Sequence, residues 1–135
     1  MKTKKREALE FYQNLGKLFY AIAASDKRVT QAEINVLHKV VKREWLDLHS
    51  DTIDFGTDAI HQIEKVFHWL KEEGNLDAES CFNDFMAYKN AREHVFTPDI
   101  KKRIKKTAYA IANAFSGVNK SELIFLVRLD MELKK

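Results

Sequence analysis

The chain has 135 residues, which fits one domain and leaves little room for two. It is 45% hydrophobic and 32% charged, too apolar for a disordered chain, and its four Gly and one Pro are too few for the tight turns of an all-β domain. The net charge is only +3, and the single cysteine, Cys81, excludes an internal disulfide framework or a Cys-based zinc finger and suits a reducing compartment.

Apolar residues recur at helical spacing along almost the whole chain. Phe11, Leu15, Leu18, Phe19 and Ile22 make one stripe of a first helix over roughly residues 5–25. A second follows Thr30, with Ile34, Leu37, Val40, Val41 and Trp45 inward. A third runs from about Thr57 to Glu73 on Ile60, Ile63, Phe67 and Leu70, with Gly74 placed to end it. Asp77 caps a fourth, which carries Cys81 or Phe82, Phe85 and Tyr88. Thr97-Pro98 sets a hydroxyl cap and a first-turn proline at the head of a fifth, with Ile100, Ile104, Ala108, Ile111 and Phe115 along its stripe. Asn119 starts a sixth, holding Leu123, Leu126, Leu129 and Leu133. Residues 47–56 read as a loop or a further short helix. The expected fold is all-α, a compact single-domain bundle of six to seven helices.

Two parts of the chain are related. A shift of 89 residues lays Tyr20-Ala21-Ile22-Ala23 on Tyr109-Ala110-Ile111-Ala112, and, without a gap, Val29 on Val118, Glu33 on Glu122 and Leu37 on Leu126. Thr30 and Asn119 match as helix caps, each with a glutamate three residues later, which is the spacing of a capping box. The repeat predicts two pseudo-twofold-related halves, about 5–45 and 97–134, around a helical insert of about 57–93, with Ala23 and Ala112 near the crossing.

Ala21-Ile22-Ala23-Ala24-Ser25-Asp26, then Val29, Glu33 and Leu37, resembles the TerB-type motif of tellurite-resistance proteins, a helical domain also found at the N-terminus of a membrane-anchored DnaJ-like co-chaperone. The resemblance covers residues 15–41 and, more faintly, 104–133. Lys27 stands where the family has glycine after the Asp; in the second half Phe115 takes the Asp position and Gly117 falls one place late. The resemblance implies a non-enzymatic binding or scaffolding module, in a tellurite-resistance or general stress-response system, whose partner is another protein. A metal- or oxyanion-binding sensor is the alternative, with a divalent cation held by Asp26, Glu33 and Glu122. As capping-box residues, Glu33 and Glu122 need only local backbone.

Charge is unevenly placed. Lys2, Lys4, Lys5 and Arg6 open the chain, while Glu44, Asp47, Asp51, Asp54 and Asp58 meet no Lys or Arg between them, so the surface is expected to be dipolar. Lys101, Lys102, Arg103, Lys105 and Lys106 form a band on the fifth helix, the best argument for an anionic partner surface. Nonspecific nucleic-acid binding is a second alternative, disfavoured because no DNA or RNA motif accompanies the band. His61, Glu64 and His68 share one face of the third helix, read as a solvated polar face, and Cys81 is read as a buried structural thiol. Nothing matches a Gly-rich phosphate loop, a nucleophile elbow or HExxH, so no catalytic residue is assigned. The basic opening and the apolar run from Leu18 to Ala24 resemble a signal peptide superficially. Glu7, Glu10, Gln13, Asn14 and Lys17 interrupt it, and the expectation is a cytoplasmic protein without a membrane span.

Overall fold

A computed structural model describes residues 2–24, 31–45, 57–73, 77–114 and 120–134, with side chains described at all of these but 2–8, 32–33, 57–59, 114 and 120–122. The described residues form six α-helices: α1 (Lys2–Ala23), α2 (Gln31–Trp45), α3 (Thr57–Glu73), α4 (Ala78–Ala91), α5 (Pro98–Ala114) and α6 (Lys120–Lys134). A 3-10 turn, Glu93–Val95, joins α4 to α5 and was not foreseen from the sequence. No strand occurs among the described residues. The segment left between loop and seventh helix, 47–56, lies outside the described residues, as do Gly74 and Phe115.

The helix starts follow local chemistry. The Asp77 carboxylate accepts from the backbone N–H of Ser80 at 2.7 Å, which holds its carboxyl below the usual range and satisfies a donor that the first turn leaves orphaned. Thr97 Oγ1 accepts from Ile100 N–H at 3.3 Å, and Pro98 supplies the first helical residue, where a missing N–H costs nothing.

Helix α1 is the hub, packed chiefly on α3 and α4 and also on α5 and α6, while α2 lies against α5 and α3. Phe11, Leu15, Leu18, Phe19 and Ile22 are fully buried. Phe11 meets Tyr12, Trp45, Tyr88 and Phe96 at ring-centroid distances of 5.6–6.5 Å, so one aromatic cluster ties α1, α2, α4 and the turn before α5. At the α1–α3 crossing, Gly16 lets the two backbones close in: a Cβ there would stand 2.9 Å from the Ile63 carbonyl oxygen and 3.0 Å from Val66 Cβ. One turn on, Tyr20 meets Phe67 edge-to-face at 5.7 Å. The apolar stripe of α3, Ile60, Ile63, Phe67 and Leu70, is buried as expected.

Both Cys81 and Phe82 of α4 are buried, because α4 is covered by α1 on one side and reached by Phe125 of α6 on the other, at 5.1 Å from Phe82. The sixth helix corrects one expectation. Leu123 is 52% exposed and does not join Leu126, Leu129 and Leu133 in the core; Phe125 does. On a helix turning about 100° per residue, Leu123 lies some 60° to one side of Leu126, away from α4, whereas Phe125 turns toward Phe82.

Two buried polar side chains are joined to partners, as burial requires. Lys89, 1% exposed, donates from Nζ to the main-chain carbonyl of Glu132 at 2.7 Å and closes α4 onto the last turn of α6. Trp45 Nε1 donates to Thr107 Oγ1 at 2.9 Å, and that hydroxyl donates to the Arg103 carbonyl at 2.8 Å.

Candidate functional site

The lysines of α5 do not form an even band. Ile100, Ile104, Ala108 and Ile111 point into the core, and the residues between them divide into two flanks. Arg103, on the α2 side, is half-buried: its Nε donates to Asp99 Oδ2 at 3.1 Å, and its guanidinium donates to the main-chain carbonyl of Glu44 in the last turn of α2. It therefore staples α2 to α5 and satisfies an orphan helix-end carbonyl. The other flank holds Lys101, Lys102, Lys105 and Lys106, which with Pro98, Tyr109, Ala110 and Asn113 of α5 and Leu133 and Lys134 of α6 line an open groove of about 650 Å³.

Asp130 of α6 joins two of the lining lysines. Lys105 Nζ lies 2.6 Å from Asp130 Oδ1 and Lys134 Nζ 3.2 Å from Oδ2. The hydrogen bond from Lys105, followed by that from Lys134, holds the Asp130 carboxyl below the usual carboxylate range. Among the described residues, Lys101, Lys102 and Lys106 have no ion-pair partner, so the groove keeps an excess of positive charge. Tyr109, 40% exposed, sits among them with its ring open to solvent.

Beside the groove, α6 presents an apolar stripe that the sequence reading did not anticipate. Leu123, Ile124, Val127 and Met131 are 52%, 55%, 48% and 62% exposed. By helical geometry Leu123, Val127 and Lys134 project within about 40° of one another. Leu123 and Val127 thus lie along the side of α6 that carries Asp130 and Lys134 toward α5, while Ile124 and Met131 stand about 60–80° further round from Lys134. Its signal was present in the sequence: α6 is apolar at 123–127, 129, 131 and 133, more than one helix face can bury.

The remaining sequence candidates fall elsewhere. Asp26 lies outside the described residues, as do the side chains of Glu33 and Glu122. Among the described residues no three His, Cys, Asp or Glu side chains are grouped to hold a metal ion. His61 and His68 are exposed on α3, and Glu64, between them, pairs instead with His38 Nδ1 and so links α3 to α2. Cys81 is buried, and that burial, reinforced by the nearby Asp84 carboxylate, pushes its thiol up to about 11. No described helix is long and apolar enough to cross a membrane.

No protein-family model, no curated protein and no solved structure matches the chain.

Proposed function

We propose that the chain is a non-enzymatic, TerB-like binding or scaffolding module, built as two pseudo-twofold halves and working in a tellurite-resistance or general stress-response system. The family reading rests on the motif from Ala21 to Leu37 and its partial return from Tyr109 to Leu126. The docking reading rests on one observation, the lysine-lined groove of α5 running beside the exposed apolar stripe of α6. Lysines clustered in the opening turns of a helix work against the positive end of its dipole and repel one another. They add nothing to the core, and a surface that keeps them together beside exposed aliphatic groups suits an anionic partner protein, steered by charge and held by the apolar area it covers.

The test separates binding from folding. Lys102→Glu with Lys106→Glu is expected to leave the thermal midpoint unchanged or slightly raised, because repulsion is relieved and negative charge is placed near a helix start. The same variant is expected to lose the acidic protein partners that the unaltered chain captures from native lysate at low salt, where such contacts are strongest. Full capture by the variant overturns the docking reading.

A further inference from the structure

We infer that the groove between α5 and α6 receives an acidic amphipathic helix of a partner protein, an inference that rests on the docking reading above. The first argument is internal to the chain. The 89-residue shift lays Gly16 and Tyr20 on Lys105 and Tyr109. In the first half those two positions seat a helix: Gly16 lies against the α3 backbone and Tyr20 against Phe67. In the second half the matching face of α5 lines the groove, and Tyr109 is 40% exposed where Tyr20 is 8% exposed. The face that α3 covers on α1 is thus left open on α5.

The second argument is chemical. Where α1 offers Gly16, α5 offers Lys105, whose ammonium is held by Asp130, so an occupant stands further out, with the ammonium groups of Lys101, Lys102 and Lys106 available to its flanks. Such a helix needs carboxylates beside its apolar stripe. The stripe itself has Tyr109 and Ala110 of α5 on one side and, on the flank of α6 that Lys134 marks, the exposed Leu123 and Val127 on the other. A helix with its side chains is about 10–12 Å across, a width that suits a concave face between two antiparallel helices better than a flat one. A bilayer surface would call for a projecting apolar face, and a phosphate backbone would leave the α6 stripe without a role.

The probe is a fluorescein-labelled 17-residue peptide with isoleucine, isoleucine, phenylalanine and leucine at the spacing of the α3 stripe and glutamate at the flanking positions, measured by fluorescence anisotropy against the full chain. The expected result is a Kd on the order of 10 µM, with about tenfold or greater weakening for a scrambled peptide of the same composition. Lys102→Glu with Lys106→Glu and, separately, Leu123→Glu with Val127→Glu are each expected to weaken it by a similar factor, with unchanged circular dichroism. Equal binding of the scrambled peptide, or no effect of the α6 variant, overturns the inference by reducing the site to bare charge. Absence of peptide binding overturns it too, as does displacement of the peptide by phosphatidylserine vesicles or by duplex RNA at equal charge. If lysate proteins are still captured through Lys102 and Lys106 while the peptide is ignored, only the helix inference fails; if capture also survives the lysine variant, the docking reading fails with it.

Discussion

Cys81 is the residue whose chemistry is set most plainly by its surroundings. Burial on α4 disfavours the thiolate, the Asp84 carboxylate disfavours it further, and the thiol is raised from its ordinary 9.0 to about 11. Because the thiolate is the nucleophile, the folded chain is expected to react with iodoacetamide at pH 8 far more slowly than the chain unfolded in urea; equal rates would mean that the thiol is not buried. The sign for stability follows. Below pH 9 the thiol is protonated folded and unfolded alike, whereas between about 9 and 11 the unfolded state ionises first, so stability falls as pH rises through that window. Cys81→Ala is expected to flatten that fall in part, and only in part, since Tyr20, also raised by burial and by Cys81, acts in the same direction.

At the scale of elements, the informative contact is the α1–α3 crossing. Glycine inside a helix ordinarily weakens it, and replacement by alanine ordinarily helps. At Gly16 the order reverses, because the added Cβ would stand 2.9 Å from a backbone carbonyl that no rotamer change can move. Gly16→Ala is therefore expected to destabilise the chain by about 1–3 kcal/mol in urea melts, the usual cost of forcing a packed interior apart. A stabilised variant would contradict the close approach. The helix starts, by contrast, are local: Asp77 with Ser80, and Thr97-Pro98 with Ile100, were legible because a cap is written within four residues of sequence.

Across the whole molecule, closure depends on α6 reaching back to α4. Arg128 lies over the Phe82 ring at 4.6 Å and donates to Glu79 Oε2 at 2.7 Å, and Lys89 holds the Glu132 carbonyl from below. Lys89→Met keeps much of the buried stem, removes the buried donor to the Glu132 carbonyl, and is expected to cost about 1–3 kcal/mol. Amide exchange should rise first in the last turns of α6; a loss spread evenly over α1 to α6 would assign Lys89 a different role. The same closure positions the function proposed here. With Phe125, Leu126, Leu129 and Leu133 turned inward, Leu123, Val127 and Met131 have only the outer side of α6 left, Leu123 and Val127 on the flank that carries Lys134.

The sequence by itself determined the order of the described helices and the inward stripes of α1, α2, α3 and the described part of α5, because apolar period, caps and proline placement act over a few residues and need no knowledge of neighbours. It also placed Cys81 in the interior and the lysines of α5 outside. Only the tertiary structure decided how those lysines divide, since Arg103 differs from Lys102 and Lys106 by the helix that happens to lie beside it: α2 offers it the Glu44 carbonyl. The α6 stripe was undecidable for the same reason. A helix with more apolar residues than one face can hold does not say which of them its neighbours will cover, and that choice is made by where α4 and α5 stand.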